Sequence, residues 1–255
     1  MDNAHPLSTS MVVRSLDINK DPFQLQENDE ELVGDETPYL NTIRALMYLA
    51  NNTRPEIAFA VSLLARFSSS PTRRHYNGVK HIFRYFRGTI DMRLFYSNEF
   101  KSEMIGYADA GYLSDPHKAQ SQTGYLFTYG GTTISWRSMK QTIAATYSNH
   151  AEIIAIHEAS RECIWLRSMT QYNMCGFPME TDNPTTLYED NVACIAQLKG
   201  GYIKGDRTKH ISPKFFFTHD FQQNGEINVQ QIRSCEILAD LFTKALLTST
   251  FEKLR

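Results

Sequence analysis

The chain has 255 residues, 42% of them hydrophobic and 12% aromatic, which excludes a disordered chain and suffices for one large core, or a modest core with a smaller helical part. Lys and Arg number 26 against 28 Asp and Glu, a formal net charge of -2, so no global field favours nucleic acid and any such binding must come from local patches. The four scattered cysteines form no C-x-x-C pair and read as reduced thiols. With no secretory signal pattern and no run near about 20 apolar residues, the expectation is an intracellular protein, in cytoplasm or nucleus, without a membrane partner.

Residues 17–36 carry Asp17, Asp21, Glu27, Asp29, Glu30, Glu31, Asp35 and Glu36 against Lys20 alone. Residues 1–36 therefore read as an acidic, mobile N-terminal arm. Residues 37–91 predict a small helical segment of three short helices. The first opens at Thr37-Pro38 and carries Leu40, Ile43, Leu46, Met47 and Ala50 at helical spacing. The second opens at Pro55-Glu56 with Ile57, Val61 and Leu64. The third follows Pro71-Thr72 with Val79, Ile82, Phe83 and Phe86, and ends at Gly88.

From Met92 the pattern turns to strands. MRLFY and EMIGYADAGY alternate, and TGYLFTYGGTTISW reads as a hairpin about Gly130-Gly131. A long helix runs from about Ser148 to Met169. Then come the strand TTLYED, the helices NVACIAQLK and SPKFFFTHDFQQ, the strand INVQQI and a last helix, ILADLFTKAL. The fold class that follows is α/β, a mixed sheet with flanking helices over residues 92–255.

Four acids stand out. Asp109 lies inside an apolar strand, where it is either an edge charge or a ligand. Glu152 sits on the long helix, where a solvated glutamate is the plain alternative. Asp190 closes a strand where a helix begins, so helix capping competes with ligation. Asp240 is set among Leu238, Ala239, Leu241 and Phe242, again with capping or a helix-dipole contact as the alternative. Two-ion phosphodiester hydrolysis needs carboxylates converging on ions about 3.5–4 Å apart, and hard divalent ions favour such oxygen donors.

The order of these acids, in first strand, first helix, end of the fourth strand and start of the last helix, is that of the ribonuclease H family. The stretch from GYADAGYLSDPHKAQ through SNHAEIIAIHEAS, with LYEDNVACIAQL, RTKHISPKFFF and EILADLFTKAL, resembles the ribonuclease H domain of copia-type (Ty1/copia) retrotransposon Pol polyproteins. YLNTIRALMYLANNTRPEIAFAVSLLARF and HYNGVKHIFRYFRGT resemble the connection segment that follows the polymerase in such proteins. The resemblance implies a five-stranded RNase H-like sheet. It also implies that Asp109, Glu152, Asp190 and Asp240 bind two Mg²⁺ (or Mn²⁺) ions and cut the RNA strand of an RNA–DNA hybrid. Three features depart from the family pattern. Gly111 stands where a second acid is common, Ser212 stands where Asp is usual, and RSCEILAD lacks the histidine that cellular relatives place before the last Asp. No polymerase Y-x-D-D word occurs.

Two basic groups fit a nucleic-acid backbone. Arg73, Arg74, Lys80 and Arg84 share the third helix with Tyr76, Tyr85 and Phe86, and Lys204, Arg207 and Lys209 surround His210. For the third helix a solvated face over a core stripe is the simpler explanation, and for the His210 group a solvated charged loop is an equal one. His150 and His157, on the helix of Glu152, lack zinc-site spacing. The opening of the chain also resembles copia-derived chains named as secreted RxLR-type effectors of plant-pathogenic oomycetes. The residues concerned are Arg14, Ser15, Leu16 and Asp17, with Asp in the fourth motif position. That likeness implies an alternative: secretion, delivery into host plant cells and contact with host proteins controlling defence or cell death, with the nuclease fold as a scaffold.

Overall fold

A computed structural model describes residues 5–14, 17, 20–23, 36–96, 103–171, 183–203 and 209–255. Helix α1 spans Thr37–Asn52, with Pro38 in its first turn, where the missing N–H costs nothing. It buries Tyr39, Ile43, Leu46 and Ala50, a four-three-four spacing that lines one face. A 3₁₀ turn at Pro55–Ile57 runs into α2, Ala58–Ala65, which is apolar all round and buried nearly throughout. Helix α3, Arg73–Gly88, starts in a capping box: the Thr72 N–H donates to His75 Nδ1 at 2.9 Å. Its buried stripe is His75, Gly78, Val79, Ile82 and Tyr85, so Phe83, expected inside, is 38% exposed.

The sheet consists of β1 (Met104–Asp115), β2 (Gln120–Tyr129), β3 (Thr132–Lys140), β4 (Thr185–Glu189) and β5 (Ile227–Gln231) in the order β3-β2-β1-β4-β5. The pairs β1–β2 and β2–β3 are antiparallel, whereas β4 runs parallel to both β1 and β5. This is the mixed five-stranded α/β sheet expected from the sequence. The β2–β3 turn uses Gly130 and Gly131 at φ 58° and 82°, the left-handed pair that a two-residue hairpin turn requires. Helices α4 (Ser148–Gln171), α5 (Val192–Gly200) and α6 (Ser212–Gln223) cover one face, burying Ile153, Ile156, Cys194, Leu198 and Phe215 with Phe127, Leu187 and Val229 of the sheet.

The helical segment covers the other face. Its core is continuous with Leu126 of β2, with Leu241 and Phe242, and with Phe251 and Leu254 of a last helix α7, Thr248–Leu254. Trp136 on β3 donates its indole N–H to the Ala50 carbonyl of α1 at 2.6 Å. Arg66, after α2, reaches Asp115 at 3.2 Å and also bonds Gln122. Part of the stretch read as a mobile arm is packed as well: Met11 and Phe23 lie in the helical core, and the Ser10 hydroxyl donates to the Glu56 carbonyl. The more acidic run 24–35 lies outside the described residues.

Two expected elements are corrected. Met92–Tyr96 is not a strand. It lies beside β3 through side chains instead, the Thr132 hydroxyl donating to the Phe95 carbonyl and the Tyr96 hydroxyl to that of Thr133. ILADLFTKAL is not an α-helix but a 3₁₀ turn, Leu238–Phe242, followed by a bend. The side chains of Thr243 and Lys244 are drawn to Asp109, which holds the chain off a helical course.

Candidate metal centre

Asp109 sits in mid-β1, 1% exposed, directly opposite Gly124 of β2. That pairing has a consequence. A Cβ at Gly124 would stand 2.7 Å from Phe242 Cβ and 2.9 Å from the Ala239 carbonyl oxygen, so only glycine lets the 3₁₀ turn lie on the sheet there. The turn delivers Asp240, and the residues after it deliver Thr243 and Lys244. The Thr243 hydroxyl donates to one Asp109 oxygen. Lys244 Nζ lies 3.1 Å from the other and 2.5 Å from Asp240 Oδ1, forming a cationic bridge between two acids.

Helix α4 brings Glu152 from the opposite face, 6% exposed. Asp190 follows β4 immediately, and the capping alternative falls to its neighbour: Asn191 Oδ1 accepts from the Cys194 N–H at 3.0 Å, so Asn191 caps α5. Asp109, Glu152 and Asp190 each place a carboxylate oxygen within 4.8 Å of the others. Asp240 joins them through Lys244. The four acids expected from the sequence therefore converge, three directly and one across a lysine.

The electrostatics are those of crowded acids. Burial, then the charge of Asp109, pushes the Asp240 carboxyl up to about 7 even with Lys244 beside it. Burial and the surrounding acids raise Glu152 well above the usual carboxylate range, Glu189 being its strongest charged neighbour. Glu189 is raised likewise, by burial first and Asp109 next. Lys244 is held firmly protonated by Asp109 and Asp240 against the opposing effect of burial. Glu152 Oε2 and Glu189 Oε2 are buried without a hydrogen-bond partner, a state that either protonation or a bound cation relieves.

No family model matches the sequence. Across 254 residues, 99% of its length, the chain is 33% identical to the retrovirus-related Pol polyprotein from transposon TNT 1-94 of Nicotiana tabacum. The chain belongs to the copia-type retrotransposon Pol family. It spans 18% of that tobacco Pol polyprotein. It is also 37% identical over 134 residues, 52% of its length, to secreted RxLR effector protein 161 of Plasmopara viticola, covering 94% of that protein. Among solved structures, the N-terminal RNase H domain of rv2228c from Mycobacterium tuberculosis shares 11% identity at a TM-score of 0.41, over 60% of this chain and 96% of that one.

The other expected site residues are distributed unevenly about this mixed α/β fold. Arg73 and Lys80 are exposed on α3, whereas Arg74 is half-buried and the Arg84 guanidinium donates to the His5 carbonyl. Lys209 and His210 are exposed just before α6, and the charge of His210 acts on His150 in the first turn of α4. That end of the loop thus lies toward the helix that carries Glu152. Lys204 and Arg207 lie outside the described residues.

Of the RxLR-like word, Arg14 forms a buried ion pair with Asp21 and donates to the Ser114 carbonyl at 3.1 Å. Asp17 is exposed, and Ser15 and Leu16 lie outside the described residues. Cys163, Cys194 and Cys235 are free thiols, and no described helix is long and apolar enough to cross a membrane.

Sequence reasoning missed Glu189, Thr243 and Lys244. Glu189 was legible: the period of two in TTLYE puts it on the buried face with Thr185 and Leu187. Lys244 was not, because it follows Asp240 by four residues in a segment that reads as one continuous helix.

Proposed function

We propose that this chain carries the ribonuclease H activity of a copia-type Pol polyprotein, hydrolysing the RNA strand of RNA–DNA hybrids. The observation that carries the reading is the convergence of Asp109, Glu152 and Asp190 within 4.8 Å, with Asp240 tied to the same Asp109 by Lys244. All four are hard oxygen donors, which suits Mg²⁺ or Mn²⁺ rather than a thiophilic ion. The unpartnered oxygen of Glu152 fits a bound cation. Two such ions, held by these four residues, would supply Lewis-acid activation of the phosphate and a water nucleophile at neutral pH.

The chain's own residues supply position. Thr243 orients Asp109 by its hydroxyl donation, and the backbone of β1, β4 and α4 fixes the three carboxylates on regular elements rather than on loops. Lys209 and His210, exposed beside α4, suit a phosphate of the bound hybrid. The glycine at position 111 is tied to this packing, since a Cβ there would stand 2.6 Å from the Thr243 carbonyl oxygen. An acid at 111 would displace the turn that carries Thr243 and Lys244.

The test is direct. The 255-residue chain with Mg²⁺ or Mn²⁺ and an RNA-labelled hybrid is expected to release short RNA, and Asp109→Asn is expected to bring cleavage to background. Folded wild-type protein that leaves the hybrid intact refutes the reading. The likeness to the Plasmopara viticola effector favours a second reading, a role inside plant cells that uses the fold as a scaffold. Leaf expression of wild type and Asp109→Asn separates the two, because a scaffold gives equal phenotypes.

A further inference from the structure

Resting on the reading of the acid cluster as a divalent-cation centre, we propose that Glu189 is a fifth carboxylate of that centre and binds the ion together with Glu152. Glu189 ends β4, and strand alternation turns it inward with Thr185 and Leu187, under α4, while Asp190 takes the more open side. Its side chain is fully buried, at 0% exposure. One carboxylate oxygen, Oε1, accepts the Asn191 N–H at 3.1 Å and is thereby anchored to the start of α5. The other, Oε2, has no partner, and Glu152 Oε2 is buried and unpartnered in the same way.

Among the described residues no salt bridge reaches either glutamate. Lys244 binds Asp109 and Asp240 instead. A buried acid left half-satisfied, next to a second one in the same condition, keeps its charge only at high cost, which either a proton or a shared cation relieves. Glu189 is the strongest charged neighbour of Glu152, and each glutamate, one at the end of β4 and one on α4, leaves a buried carboxylate oxygen without a partner for that cation to use. Glu189 is thus placed to raise the negative charge of the site beyond the four acids already assigned, which strengthens ion binding.

The experiment is a Mn²⁺ titration of the full chain, read by loss of the free-ion EPR signal, with thermal melts of the metal-free proteins alongside. Wild type is expected to take up Mn²⁺, and Glu189→Gln to bind it at least about tenfold more weakly while melting at the same temperature or higher without metal. Glu189→Asp keeps the charge but withdraws it by one methylene, and is expected to weaken binding too. Equal Mn²⁺ affinity in wild type and a folded variant, Gln or Asp, overturns the proposal and leaves Glu189 a structural acid held by Asn191. No uptake by folded wild type would instead overturn the metal reading of the whole cluster, and this inference with it.

Discussion

Lys244 occupies the position between Asp109 and Asp240, where its ammonium neutralises charge that a divalent ion would otherwise have to meet. Its neighbour Asp240 shows how much charge remains, since the carboxyl is pushed up to about 7 by burial and by Asp109. A folded-state value above the ordinary 3.8 means that the native chain binds a proton more tightly than the unfolded chain. The stabilising contribution of this one carboxyl is therefore complete below about pH 4 and is lost as pH rises through about 7. Lys244→Met removes the bridge. Because the lysine side chain is 41% exposed, the loss at pH 8 is expected to be only about 1–2 kcal/mol. At pH 5, where Asp240 is protonated, the loss shrinks. Melting curves in EDTA at the two pH values test this, and added Mn²⁺ at pH 8 should recover more stability in the variant than in wild type. Equal losses at both pH values would show that Lys244 acts through packing alone.

Elements were legible where a single periodicity decided them. Tyr39 through Ala50, Gly130-Gly131 and the long helix carrying Glu152 follow from residue spacing. The C-terminal segment was not legible, because two signals disagreed. Leu238, Leu241 and Phe242 have helical spacing, but what fixes the turn is distant in sequence: the gap at Gly124 and the pull of Asp109 on Thr243 and Lys244. Three of the acids could be placed on their elements from the sequence, while Asp240 could be placed only in chain order. Gly124 accordingly bears a prediction at this level. Gly124→Val inserts a branched side chain against Phe242, Thr243 and the Ala239 carbonyl. Overpacking of that kind costs about 1–3 kcal/mol, and the turn is the part free to move. The expected outcome is a folded protein with Asp109 and Glu152 in place but hybrid cleavage strongly reduced, checked by activity beside circular dichroism. Retained full activity would show that Asp240 need not lie against the sheet.

The helical segment, read from sequence as a stretch of its own over 37–91, shares its core with the sheet. Leu126, Leu241, Phe242, Phe251 and Leu254 belong to the part that carries the sheet, yet they are buried in one cluster with Ile43, Leu46, Ile57, Leu64 and Ile82. Burying each such side chain is worth about 1.5–3 kcal/mol. Baring several of them at once is therefore large beside the net stability of a typical domain, about 5–15 kcal/mol. Arg66 adds its link to Asp115, and Trp136 its hydrogen bond to Ala50. Removing residues 1–91 would bare that face, beside the very turn that holds Asp240. The truncated chain 92–255 is therefore expected to aggregate or to melt without cooperativity, and to lose hybrid cleavage, although all four acids of the sequence pattern remain in it. Adding the helical segment as a separate chain is expected to recover some solubility, since the apolar face then has its partner. A truncated chain that melts cooperatively near the full-length temperature would show that the sheet closes its own core, and that the helical layer serves the polyprotein rather than the fold.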